Sequence, residues 1–96
     1  MIIALDYDGT YTIAPDDWLG FVKQMVSRGH TVFLVTMRYE SEKIDPALAS
    51  AASGVFYTGR QYKRRFMYQQ GVHIQVWIDD MPEMVCGPDA VLSWAN

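Results

Sequence analysis

Two pairs of aspartates carry most of the chemical potential of this 96-residue chain. One pair is Asp6 and Asp8, in the run Ile2 to Thr10 (IIALDYDGT). The other is Asp79-Asp80, which closes Ile74 to Asp80 (IQVWIDD). Each pair follows an apolar run that reads as a strand buried on both faces, as in a parallel sheet. A buried strand ends in carboxylates only where something offsets their charge. Side chains two apart on a strand point the same way. Asp6 and Asp8 are therefore both expected at the carboxyl edge of a sheet, where open α/β folds hold their ligands. Gly9 allows a tight turn and Thr10 adds a hydroxyl. Such an oxygen-rich edge suits a divalent cation and a phosphoryl group.

Cations and hydroxyls occur at matching places. Thr36 ends a second apolar run, Thr31 to Thr36 (TVFLVT), and Arg38 follows in a loop expected at the same edge. A threonine ending a strand is ordinary, so Thr36 is selected by its position. For Arg38, a substrate contact and a plain surface role both remain open. Half of the eight basic residues (Arg60, Lys63, Arg64, Arg65) fall within six positions. Lys63 shares a helical face with Phe66 and Met67 at i+3 and i+4, which turns it inward. Arg64 is the second choice for an inward cation. A lone D-x-D can be a helix cap or a surface pair, and Asp79-Asp80 could cap a short helix after Met81-Pro82. Strand context, the following Gly-Thr and the presence of both pairs favour function.

These side chains need a framework, and the pattern supplies one: strands alternate with helices. Residues 2–7 read as the first strand. Pro15, Asp16 and Asp17 suit the first turn of a helix, and Trp18, Leu19, Val22, Met25 and Val26 follow helical spacing up to Gly29. After the strand 31–36, a short helix is expected from 39 or 40 to 50, perturbed by Pro46. A strand at 55–58, a helix at 60–70, a strand at 74–80 and a short fifth strand at 90–93 complete the series. Alternation of this kind predicts a parallel sheet with right-handed crossovers. The first strand should be central, flanked by the second and fourth. The expected architecture is one three-layer Rossmann-like α/β domain over residues 1–96, with strand order 3-2-1-4-5.

Half of the chain is hydrophobic, enough for a packed core. No apolar run is long enough for a transmembrane helix, and the N-terminus lacks the basic leader of a signal peptide. A net charge of −3 gives no support for general binding to nucleic acid or anionic membrane. Cys86 stands alone, so no internal disulfide forms, and a reducing cytoplasm fits best. His30 and His73 open strands away from the acidic edge and read as structural.

Four signals in chain order resemble the haloacid dehalogenase-like superfamily of phosphatases and phosphotransferases. They are Asp6-x-Asp8-Gly9-Thr10, Thr36 after an apolar strand, a basic residue opening the helix at 60–65, and Asp79-Asp80 after an apolar strand. The resemblance covers nearly the whole chain and is nearest to small cap-less members from phages and bacteria. It implies a Mg²⁺-dependent phosphomonoester hydrolase. Asp6 would be the nucleophile, and Asp8 the acid that protonates the leaving group and then activates water. Thr36 would bind phosphoryl oxygens, and Lys63 would neutralise phosphate and nucleophile. Mg²⁺ would be held by Asp6, Asp79, the carbonyl of Asp8, and Asp80 directly or through water. Outside the roles the resemblance implies, Thr10, Arg38 and Arg64 are the candidates for substrate contact. Tyr11 stands where many relatives carry an aliphatic residue.

The chemistry stands without the family name. Phosphoryl transfer needs positioning and charge neutralisation, and a carboxylate can take the phosphoryl group as an aspartyl-phosphate. Four clustered acids would repel a phosphate unless a metal is bound. Asp6 must be ionised to attack while Asp8 carries a proton, and neighbouring charges can separate two such groups.

The links after Asp8 and after the third strand are too short for the cap domains of larger relatives. An open site is therefore expected, closed by a large substrate or by a second copy of the chain. The substrate could be a nucleotide, a nucleic-acid end or a phosphoprotein. The rival reading is a non-enzymatic phospho-ligand or partner-binding module that keeps the fold. A receiver-type phosphoacceptor domain would want its acceptor Asp after the third strand, where this chain has Thr58-Gly59.

Overall fold

In the computed structural model, which describes residues 1–87, four parallel strands form one sheet. They are β1 (Ile2–Leu5), β2 (Thr31–Thr36), β3 (Gly54–Tyr57) and β4 (Val76–Ile78), in the order β3-β2-β1-β4. β1 is central, as its continuous apolar character requires. Leu5 lies opposite Leu34 on one side and Ile78 on the other. Alternation along the strands divides the core into two clusters. Ile3, Leu5, Val32 and Leu34 join one, while Ala4 and Val35 join the other.

Helices cover these clusters. α1 (Pro15–Ser27) starts on Pro15, with Asp16 and Asp17 in its first turn, and inserts Val22 into the first cluster. α2 (Pro46–Ala51) adds Leu48 to the same cluster. α3 (Lys63–Gln69) brings Met67 to the second. α4 (Pro82–Cys86) follows β4 and packs near α3. Leu48 is fully buried, so Leu48→Ala should cost about 2–5 kcal/mol, the usual range for a core truncation that leaves a cavity. Urea unfolding followed by circular dichroism checks this, and a loss below about 1 kcal/mol would mean that α2 collapses freely onto the sheet.

Several boundaries differ from those the sequence suggests. The first strand stops at Leu5 rather than residue 7, because residues 7–10 form turns. The second helix begins at Pro46, well after 39–40. Pro46 occupies its first turn, and the Asp45 carboxylate caps it by accepting the Ala47 N–H at 3.0 Å. The third helix begins at Lys63 rather than Arg60, because Gly59 and Arg60 have φ of 61° and 71°, outside the helical region. The third and fourth strands span 54–57 and 76–78 instead of 55–58 and 74–80. The expected fifth strand at 90–93 lies outside the described residues. Among the described residues, no helix is long and apolar enough to cross a membrane.

Candidate active site

The carboxyl ends of the three adjacent strands β2, β1 and β4 bring the chemistry together. The Asp6 N–H donates to the Ile78 carbonyl at 2.9 Å, which carries the β1–β4 pairing one residue past the strand end. That bond sets Asp6 beside Asp79 and Asp80. Carboxylate oxygens of Asp6, Asp79 and Asp80 lie within 4.8 Å of one another, a group that could hold a metal ion.

Lys63, at the start of α3, reaches into this cluster. Its ammonium donates to Asp6 Oδ1 and to Asp79 Oδ2, both at 2.6 Å, and the residue is only 3% exposed. Arg64 and Arg65, one and two positions on, are exposed. Asp79 Oδ1 accepts the Met81 N–H at 3.0 Å, which fixes the carboxylate at the foot of α4. The Thr10 hydroxyl shares its single proton between Asp6 Oδ2 at 3.1 Å and Asp80 Oδ1 at 3.4 Å. Gly9 has φ of 84°, and a Cβ there would collide with the Asp80 carboxylate. The glycine is therefore demanded by the turn and by the close approach of Asp80.

Asp8 is elsewhere. With β1 ended at Leu5, strand alternation no longer governs it, and its half-exposed carboxylate faces Arg38. Arg38 Nε donates to Asp8 Oδ2 at 2.9 Å and Nη2 to Oδ1 at 2.8 Å, a two-pronged pair. Arg38 Nη1 is spent on the Lys43 carbonyl at 2.7 Å. Thr36 is buried at the end of β2, and its Oγ1 accepts the Arg38 N–H at 3.3 Å. Asp6, Asp8, Thr36, Lys63, Asp79 and Asp80 line one small cavity of about 130 Å³, rimmed by Met37, Met81 and Met84. That is below the roughly 300–1,000 Å³ of drug-sized ligand sites. It has room for a group no larger than a phosphoryl.

The two acids after β1 differ in proton affinity, in the opposite sense to that expected from the sequence. Burial pushes the Asp6 carboxyl up to about 6, with Asp80 and Asp79 adding to the rise and Lys63 opposing it. The Arg38 hydrogen bonds hold Asp8 below the usual carboxylate range. A cation among Asp6, Asp79 and Asp80 would favour the ionised form of Asp6.

A supporting layer was invisible in the sequence. Tyr7 is buried between the two acids and stacks on Tyr11, with ring centroids 5.5 Å apart. The Tyr11 hydroxyl donates to Asp45 Oδ2 at 2.7 Å, and the Tyr7 hydroxyl accepts the Asp45 N–H at 3.0 Å. Asp45 therefore ties α2 to the D-x-D turn, and Tyr11 needs its hydroxyl for that tie. The Arg38 guanidinium carbon lies 4.9 Å from the Tyr7 ring centroid. The one signal for Tyr7 was its place between Asp6 and Asp8, which assigns it to the opposite side of the chain. The N-terminal ammonium donates to His30 Nδ1 at 2.8 Å, away from the site.

No protein-family model, no curated protein and no solved structure matches the chain.

Proposed function

We propose that the chain is a Mg²⁺-dependent phosphomonoester hydrolase of the haloacid dehalogenase-like type, working through an aspartyl-phosphate on Asp6. The observation that carries this reading is the convergence of Asp6, Lys63 and Asp79 with Thr10 and Asp80 at one sheet edge. Three carboxylates against one ammonium leave a surplus of negative charge, which a divalent cation would balance and a phosphate alone would worsen. Their hard oxygen donors fit Mg²⁺, which would be held by Asp6, Asp79, Asp80 and the Asp8 carbonyl. When bound, the ion would supply charge neutralisation for the phosphoryl group.

Asp6 attacks phosphorus and the ester P–O bond breaks, with a proton from Asp8 passing to the leaving oxygen. Water then attacks the aspartyl-phosphate as Asp8 takes its proton. The P–O bond to Asp6 breaks, releasing phosphate and restoring the carboxylate. Thr36 accepts a backbone N–H and keeps its hydroxyl proton for a phosphoryl oxygen, while Lys63 balances the nucleophile. Arg38 and Arg64 meet the substrate at the rim.

The finer architecture belongs to the same proposal: a three-layer, five-stranded Rossmann-like domain without a cap. Among the described residues the outer edge of β4 has no strand partner. A groove of about 500 Å³ is lined by Met67, Ile74, Trp77 and Cys86. A cytoplasmic location fits the lone cysteine, and a large substrate or a second copy of the chain would close the open site. The non-enzymatic alternative, a phospho-ligand module, has one observation in its favour: both Asp8 oxygens are occupied by Arg38.

Turnover of p-nitrophenyl phosphate decides between them. Hydrolysis is expected with Mg²⁺ and should fall to the uncatalysed background when a chelator removes it. The same rate with and without chelator removes the metal from the reading. No hydrolysis of this or of other phosphomonoesters leaves the binding module.

A further inference from the structure

In the reading above, an Asp8 oxygen must meet the leaving-group oxygen within hydrogen-bond distance. Both oxygens accept from Arg38, one from Nε at 2.9 Å and the other from Nη2 at 2.8 Å. This two-pronged hold fixes the carboxylate against Arg38, and its surroundings show what can loosen it. Asp8 is half-exposed and the Arg38 side chain is 27% exposed, so the pair sits at the wet rim, where an ion pair is weak and partners exchange readily. Arg38 has two further anchors that do not involve Asp8. Its Nη1 donates to the Lys43 carbonyl at 2.7 Å, and its guanidinium lies over the Tyr7 ring. Tyr7 is in turn pinned by Tyr11 and by the Asp45 N–H. Release would therefore present an anchored fork of two N–H donors beside Asp8, a lining residue of the cavity, and that fork matches a phosphate. The cavity has room for little beyond the reacting phosphoryl group, so a further substrate group lies outside, at the rim.

We propose that Arg38 is a partner-exchange lock selecting phosphomonoesters that carry a second phosphate: that phosphate takes the guanidinium from Asp8 and frees the acid. The proposal rests on the hydrolase reading for the role of Asp8. The second phosphate can belong to a small bisphosphate or to the first internucleotide linkage of a phosphorylated oligonucleotide, since both present the same oxygens.

Hydrolysis-proof ligands test it without turnover. In the presence of Mg²⁺, calorimetry would compare propylphosphonate with propane-1,3-diphosphonate and its two- and four-carbon homologues. The wild-type protein should bind the best diphosphonate at least tenfold more tightly than the monophosphonate, and Arg38→Gln should bring the ratio to about one. Arg38→Lys, which keeps charge but loses the fork, should fall between. In the wild-type protein, the Arg38 Nε–H resonance should shift with the diphosphonate and stay put with the monophosphonate, a readout that needs no variant. A ratio near one in the wild type, an equal ratio in Arg38→Gln, or an unmoved Arg38 resonance overturns the lock. A 5′-phosphorylated dinucleotide added to the series identifies the source. An Arg38-dependent gain larger than that of any diphosphonate assigns a nucleic-acid end, and a smaller one assigns a small bisphosphate. Arg38-dependent binding in a protein that hydrolyses no phosphomonoester would retain the anion site and discard the catalytic reading, so the two failures are distinguishable.

Discussion

Asp6→Asn is expected to give a folded protein that does not hydrolyse phosphomonoesters. Asp6 is almost wholly buried, with Oδ1 on the Lys63 ammonium at 2.6 Å and Oδ2 receiving the Thr10 hydroxyl at 3.1 Å. Asparagine fits this space. Its carbonyl oxygen can stay on Lys63, and its amide can donate to Thr10, whose hydroxyl accepts as well as donates. The shape and most of the hydrogen bonding survive, but an amide cannot form the acyl-phosphate. Turnover should fall by about 10⁴-fold or more, the scale on which a missing nucleophile reads out. Steady-state kinetics on p-nitrophenyl phosphate, with circular dichroism as the fold control, provide the check. Activity near wild type with an unchanged spectrum would remove Asp6 as nucleophile.

Lys63→Ala should damage fold and activity together. One buried ammonium serves two carboxylates, Asp6 and Asp79, at 2.6 Å each. Deleting it leaves both charges facing one another with Asp80 close by. Removing one partner of a buried ion pair costs about 3–5 kcal/mol. In a domain of this size that lowers the melting midpoint by roughly 12–40 °C. Mg²⁺ should raise the midpoint of the variant, because a cation among the three carboxylates takes over part of the neutralisation. Arg64 and Arg65 are exposed where Lys63 is buried, and their alanine variants should leave p-nitrophenyl phosphate turnover nearly intact. Thermal melts with and without Mg²⁺, together with kinetics for all three variants, test this. If Arg64→Ala fails on the small substrate while Lys63→Ala stays stable and active, the cation has been assigned to the wrong residue.

Much of the framework was legible because it depends on local patterns. Continuous apolar runs, Pro15 with two acids after it, and Gly29 after the last periodic residue define strands and a helix without reference to distant residues. The central place of β1 followed from its buried, unalternating character and from the polar ends of its neighbours. Boundaries were less legible because they depend on backbone conformation or on partners far away. Arg60 has good helix propensity, yet its φ of 71° keeps it out of α3. Pro46 read as an interruption inside a helix, whereas with Asp45 as cap it begins one.

The acidic site divides along the same line. The spacing of Asp6, Asp8, Asp79 and Asp80 and the apolar runs before them are properties of the chain alone, and they determined that carboxylates would gather where strands end. Helical spacing likewise determined that Lys63 shares a face with Phe66 and Met67. Which carboxylates meet was decided only by the tertiary structure. β1 ends one residue before Asp6, so the period-two rule stops there, and the turn at 7–10 sends Asp8 to Arg38 while Asp6 stays with Lys63. The proton affinities of Asp6 and Asp8 were decided there too, since burial and the nearest cation set them and neither is a local property of sequence. So was the work of Tyr7, Tyr11 and Asp45. Their contacts span 34 to 38 positions, and only packing α2 against the D-x-D turn brings the groups within hydrogen-bond reach.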